Sequence, residues 1–160
     1  HLQLILYLAG QDNIDVSHFI HMKKLTFLIL IILSLFSCKQ TEWAPEGPTD
    51  VRVRNLQGGM TFTNVVIKTA GGRDTTGNIK PLGTILPGEA SDYQRVEVAY
   101  PKAEIIAEIN GITFSTGEFL STYMQYIGQQ RITYEVFVSN LDNKILKINN
   151  VVYDEPLVLK

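Results

Sequence analysis

Cysteine and histidine are scarce in this chain of 160 residues, and their positions exclude most nucleophilic and metal chemistry. Cys38 is the only cysteine, so an intramolecular disulfide framework and a multi-cysteine metal site are excluded. All three histidines, His1, His18 and His21, precede Met22. If the mature protein begins after them, Ser-His-Asp and Cys-His catalysis and a histidine pH switch are excluded as well.

An excess of positive charge is also missing. Lys and Arg together number 14 and Asp and Glu 16, which gives a formal charge of -2 at pH 7. Because the chain has no excess of positive charge that could neutralise a phosphate backbone, we expect no nucleic-acid partner. Hydrophobic residues make up 45% and charged residues 19%, a balance typical of a globular domain, and the length suits one such domain.

No apolar run is long enough for a stable membrane anchor, but one has the length of an export signal. Lys23 and Lys24 precede the uncharged residues 25–36. As a helix this run of twelve residues would extend about 18 Å, against roughly 30 Å of bilayer hydrocarbon. A short apolar run behind paired lysines indicates a cleaved secretory signal, which we place at residues 22–37.

The end of this run, Leu35-Phe36-Ser37-Cys38, resembles the lipobox of bacterial lipoproteins. In that family the cysteine thiol receives a diacylglycerol group, the signal is cleaved before the cysteine, and the new amino terminus is usually acylated. The resemblance implies a membrane anchor of several acyl chains, such as palmitate, on Cys38. In that family an aspartate directly after the cysteine indicates retention in the inner membrane. Here Lys39 occupies that position, which favours attachment to the outer membrane. The alternative is a buried cysteine at the end of a core helix.

The signal lies unusually far along the chain. Because twenty-one residues precede Met22 and the first is not methionine, we interpret residues 1–21 as an over-extended reading frame. The alternative is a genuine amino-terminal extension. Residues 38–50 are polar and contain two prolines and a glycine, so they are expected to form a lipidated tether. This leaves residues 51–160 as the folded domain.

Short β-type segments follow residue 50, and we find no long amphipathic helix. A phase shift in the alternation near Asn64 predicts a β-bulge. Asn110-Gly111 predicts a two-residue type I′ turn that pairs Ile109 with Ile112. The segments with strand-like composition or alternation are residues 51–56, 60–69, 79–85, 91–100, 103–116, 131–138 and 144–148, with a last one at 151–153 or 157–159.

Seven or eight short strands with frequent turn signals predict an all-β fold, an antiparallel sandwich of immunoglobulin-like or transthyretin-like architecture. A small closed barrel is the alternative. The mature chain resembles a group of small, largely uncharacterised bacterial lipoproteins that have a lipobox and one such sandwich. That resemblance carries over no functional residue. The matching segments are 51–55 (VRVRN), 62–67 (FTNVVI), 83–93 (GTILPGEASDY) and 96–100 (VEVAY).

Carboxylates are the remaining acid–base groups. Glu104 and Glu108 would share a strand face at about 13 Å, which is wider than the roughly 6.5–9.5 Å of inverting glycosidase pairs. Asp74 and Asp142 are expected in loops, and Asp74-Thr75 lacks the dense acidic spacing of a calcium loop. We therefore expect no catalytic residue, no metal and no cofactor.

Residues 117–130 are long for a connection between strands, and such loops are often functional. Four of their side chains belong to types enriched at protein interfaces, and aromatic rings can also stack on sugars. These candidate contact residues are Phe119, Tyr123, Met124 and Tyr126. The alternative is that Phe119, Leu120, Tyr123 and Ile127 cover an open end of the domain.

Together these patterns predict a lipid-anchored protein of the cell envelope, with the outer membrane favoured, and not an enzyme. Its domain is expected to be a binding or interaction module for an envelope protein or a glycan. A purely structural envelope component is the second hypothesis. A carboxylate-dependent hydrolase is the third, and the sequence offers it no close carboxylate pair.

Overall fold

The computed structural model describes residues 46–73 and 75–157, and this part of the chain is all-β, as predicted. It contains no helix with the length and hydropathy of a membrane span. The predicted signal at residues 22–37, Cys38 and most of the tether lie outside the described residues. The strands are β1 (Thr49–Asn55), β2 (Phe62–Lys68), β3 (Ile79–Ile85), β4 (Gln94–Val96), β5 (Glu104–Ile109), β6 (Ile112–Ser115), β7 (Gln130–Asn140) and β8 (Ile145–Pro156).

All eight strands belong to one hydrogen-bonded sheet in the order β3-β2-β5-β6-β8-β7-β1-β4. The two strands at the ends of this order, β3 and β4, contact each other, and β3 also contacts β1. The sheet therefore curves round into a nearly closed barrel. This arrangement is closer to the barrel alternative than to a sandwich of two separate sheets.

Two of the pairings are parallel, which corrects the prediction of a purely antiparallel fold. β1 runs parallel to β7, with Asp50 opposite Arg131 and Asn55 opposite Val136. β6 meets β8 in parallel at the single pair Ser115 and Ile145. A tight turn dictates an antiparallel neighbour, whereas strands that are distant in sequence can pair in either direction.

Several strand boundaries differ from prediction, three of them for reasons that the structure shows. β1 begins at Thr49, two residues before the expected domain start, because Asp50 is buried there in an ion pair with Arg95. β4 covers only three residues of the segment expected at 91–100. β8 is continuous over both of the last predicted segments, with a register shift opposite Glu135 and Val136 where the sequence suggested a break.

The two most local predictions are confirmed. The register of β2 shifts between Phe62 and Val65, and Asn64 has a φ of 48°. In the hairpin of β5 and β6, Ile109 pairs with Ile112 around a turn whose residues, Asn110 and Gly111, have φ values of 52° and 76°.

The core fills the inside of the curved sheet. Burial of the Tyr134 side chain raises the pKa of its hydroxyl, which donates a hydrogen bond to Tyr100 O at 2.6 Å. The largest fully buried side chains are Tyr134, Phe62, Ile67, Ile85, Ile105, Ile132, Leu146, Val51, Val53, Val65, Val96 and Val136.

Candidate interaction surface

The connection between β6 and β7, residues 116–129, is attached to the sheet at both ends. At the first end, Thr116 Oγ1 accepts a hydrogen bond from Ile105 N at 2.8 Å and donates one to Ala103 O at 2.9 Å. At the second end, Gly128 O accepts a bond from Thr49 Oγ1 at 2.6 Å. The connection is thus fixed to β5 and to β1.

A third attachment lies in the middle of the connection, on the loop after β2. The Phe119 ring lies edge-on to Tyr100, with centroids 6.3 Å apart. Ser121 N and Oγ both donate to Gly71 O, at 3.5 and 3.3 Å. Gly71 has a φ of 62°, and a Cβ there would lie 2.7 Å from the Phe119 ring, so only glycine fits.

Between these attachments the chain turns outward and exposes large apolar side chains. Met124 N donates to Ser121 O at 3.0 Å, which closes a turn in which Tyr123 has a φ of 68°. Tyr123 is fully exposed, Leu120 is 73% exposed and Tyr126 is 46% exposed. We call Leu120, Tyr123 and Tyr126 the exposed tip.

The structure separates the four candidate contact residues into two pairs. Phe119 and Met124 are half-buried, and Phe119 is part of the packing that holds the connection. Tyr123 and Tyr126 project from the domain. The proposed cover set divides too, because Phe119 and Ile127 pack on the domain whereas Leu120 and Tyr123 do not.

A pocket of about 500 Å³, which we call the aromatic pocket, opens beside Tyr126. Glu97 Oε2 accepts hydrogen bonds from Thr75 Oγ1 at 3.2 Å and from the buried Asn78 Nδ2 at 3.3 Å. A Cβ on Gly77 would come within 2.3 Å of the same carboxylate, so the glycine leaves room for it. The pocket is lined by Glu46, Ala70, Arg73, Thr75, Asn78, Glu97, Val98, Tyr100 and Tyr126.

Sequence reasoning missed the aromatic pocket. Asn78 and Glu97 lie in different loops, and no spacing links them. The only local signal is the Gly77-Asn78 pair, which resembles an ordinary turn.

Charged residues of β1, β7 and β8 form a network on another part of the sheet. The Arg52 and Arg131 guanidinium carbons lie 4.4 and 5.1 Å from the centroid of the Tyr93 ring. Thr133 Oγ1 donates to Asp154 at 2.5 Å and accepts from Arg52 Nε at 2.8 Å. Partial burial raises the pKa of Tyr93, and so does its hydrogen bond with Asp154.

The same network extends to β4 through Asp50. This carboxylate accepts two hydrogen bonds from Arg95, at 2.8 and 3.1 Å, and lies 3.5 Å from Arg131 Nε. The bidentate contact raises the pKa of Arg95. Three arginines share the two carboxylates Asp50 and Asp154, and the buried Arg131 Nε has an ion-pair contact but no hydrogen bond. The network ties β1, β4, β7 and β8 together.

The remaining carboxylates singled out from the sequence do not come together. Glu104 Oε2 is 3.1 Å from Lys68 Nζ, and Glu108 accepts a hydrogen bond from Asn64 at 2.8 Å. Asp142 is exposed in the turn before β8, and Asp74 is outside the described residues. Within residues 46–73 and 75–157, no group of three or more His, Cys, Asp or Glu side chains could hold a metal ion.

Comparison with known proteins adds little to this geometry. No protein-family model matches the chain, and no curated protein matches it. One similar solved structure is an NMR structure of a protein from Eubacterium rectale, with a TM-score of 0.43 and 13% sequence identity. The match covers 69% of this chain and 96% of that one. At this similarity it supports no conclusion about fold or function.

Proposed function

We propose that the protein is a lipid-anchored, non-catalytic binding module of the cell envelope that contacts a protein partner through the exposed tip. The observation that carries the proposal is the full exposure of Tyr123 beside Leu120 and Tyr126 on a connection attached at three places.

The physical basis is the combination of a fixed backbone with large amphipathic side chains. Tyrosine is enriched among the residues that dominate interface energies. Anchoring the backbone before binding lowers the conformational entropy that association would otherwise cost. Exposed large apolar side chains that follow one another on a single loop are a feature of many interaction sites.

Site-specific photo-crosslinking tests the exposed tip. A benzophenone amino acid in place of Tyr123 should form one reproducible adduct with an envelope protein. The matched control is the same probe in place of Tyr153, which is exposed on β8. In a pull-down, Tyr123→Ala should no longer capture the protein that crosslinking identified, and its melting temperature should equal that of the wild type. Equal crosslinking from both positions would reject the tip as a specific surface.

The lipid anchor is supported by the lipobox resemblance at Cys38 and needs its own experiment. Growth with labelled palmitate should label the wild-type protein and leave Cys38→Ser unlabelled and released from the membrane fraction. Label incorporation that survives this substitution would reject the anchor without affecting the proposal for the exposed tip.

A saccharide ligand is the second candidate, and the aromatic pocket is the observation that favours it. A tyrosine ring beside a carboxylate fixed by Asn78 and Thr75 combines a stacking face with an oriented hydrogen-bond acceptor. Titration with chitotriose and maltotriose tests this. Binding that is lost in Glu97→Gln and kept in Tyr123→Ala would favour the saccharide. If neither sugar binds and no crosslink forms, the purely structural hypothesis is favoured.

A further inference from the structure

Within residues 46–73 and 75–157, one edge of β8 has a vacant strand position beside it. β6 ends at Ser115 and meets β8 only at Ile145, while β8 continues to Pro156. In the described part of the chain, no strand pairs with this edge of β8 beyond Ile145. The vacancy lies between β8 and the start of β5, where a longer β6 would have continued.

Hydrogen-bond directions show which backbone groups face the vacancy. Ser115 N donates to Lys144 O at 3.2 Å and Ser115 pairs with Ile145, so β6 and the vacancy lie on the side of β8 opposite β7. Val136 lies opposite Ile148 on β7. Its carbonyl oxygen accepts a hydrogen bond from Leu56 N at 2.8 Å, on the side of β7 that faces away from β8. Ile148 and Val136 are therefore a non-hydrogen-bonded pair. The N–H and C=O of Ile148 are directed away from β7.

The vacancy is a groove of about 640 Å³ with walls on both sides. Residues 146–151 of β8 form one wall, and residues 101–103 and 116–119 form the other. Leu146 is buried, and Ile148 and Val151 are half-buried against the core. Six regular strand residues extend about 20 Å at 3.3 Å per residue, and the extra residue at Asn149 makes this stretch of β8 shorter than that.

The charges around the groove favour an acidic occupant. Lys102 and Glu118 lie on the wall opposite β8, and Lys147 lies on β8 itself. None of the ion pairs formed within the described residues involves these three side chains. Two lysines against one glutamate leave one net positive charge beside this edge of β8.

We propose that this groove receives an extended, acidic peptide segment of a partner protein, which adds to β8 as a further strand. Backbone hydrogen bonds to the Ile148 edge would supply the affinity, as in other cases of strand addition. Alternate side chains of the segment would lie on Ile148 and Val151, and its carboxylates would lie near Lys102 and Lys147. The opposite wall blocks edge-to-edge pairing of two copies, which an open edge would invite.

Amide hydrogen exchange in the full-length protein, in detergent solution, tests the vacancy directly. In the free protein the Ile148 amide should exchange much faster than the Lys147 amide, which faces β7. The probe is an acetylated nine-residue peptide that alternates valine and threonine and carries three aspartates. At saturation it should slow exchange at Ile148 by about tenfold. An Ile148 amide already as protected as Lys147 in the free protein would overturn the proposal.

Charge and backbone variants complete the test. A peptide with lysines in place of the aspartates should bind about fivefold more weakly. Lys102→Glu with Lys147→Glu should reverse that preference, while Lys80→Glu on β3 should leave it unchanged. Ile148→Pro removes the outward N–H and should weaken binding about tenfold. If Ile148→Pro does not fold, the Lys102→Glu, Lys147→Glu double variant is the remaining test. If that variant still prefers the aspartate peptide to the lysine peptide, the proposal is overturned.

Discussion

At the scale of single residues, Thr133 connects two opposite charges inside the sheet. Its buried hydroxyl donates to Asp154 and accepts from Arg52. Thr133→Val keeps the shape but leaves both charged groups short of a partner. We expect the free energy of unfolding to fall by about 1.5–3 kcal/mol, as for hydrogen bonds to charged groups. Urea unfolding measures this, with Thr113→Val on the exposed face of β6 as the control. A loss no larger than in the control would contradict the prediction.

Asp154 makes the stability depend on pH. Partial burial opposes its ionisation, but hydrogen bonds from Thr133 and Tyr93 and the charge of Arg52 lower its pKa overall. Because the pKa of Asp154 is lower in the folded than in the unfolded state, its ionised form stabilises the fold at pH values above the unfolded-state pKa of about 3.9. This stabilisation is lost as the pH falls through the folded-state pKa. The urea midpoint of Asp154→Asn should therefore drop less than that of the wild type between pH 5 and 3. Parallel curves would contradict this.

At the scale of elements, the hairpin of β5 and β6 depends on its turn. Gly111 has a φ of 76° with open space around it, so Gly111→Ala tests backbone conformation alone. The left-handed conformation costs a residue with a Cβ about 1–2 kcal/mol, and we expect that loss in urea unfolding. Asn110→Gly is the control, since glycine also accepts positive φ, and it should change stability far less. Equal losses would show that the turn is not the cause.

The elements that local chemistry specifies could be predicted, and those that depend on distant partners could not. The Asn110-Gly111 turn and the bulge at Asn64 follow from residues that tolerate positive φ. The parallel alignment of β1 with β7 brings together residues that are far apart in sequence, such as Asp50 and Arg131. The aromatic pocket was missed for the same reason.

At the scale of the whole molecule, a single cluster of side chains joins strands from every part of the sheet. Phe62 is fully buried in this cluster, and truncating a buried phenylalanine leaves a cavity. Phe62→Ala should reduce the free energy of unfolding by about 3–5 kcal/mol. Leu120→Ala, in the exposed tip, should change it by less than about 0.5 kcal/mol. Calorimetry or urea unfolding can compare them, and a large loss in Leu120→Ala would assign the tip to the core.

The position of β1 has a mechanical consequence. This strand begins at Thr49, at the amino-terminal side of the domain, and lies between β7 and β4. A force applied through the residues before Thr49 would pull β1 along its own axis. The bonds along its six aligned pairs with β7 would then bear the load together in shear rather than open one after another. The domain should therefore resist a pull that is applied through the residues before Thr49 and directed along β1.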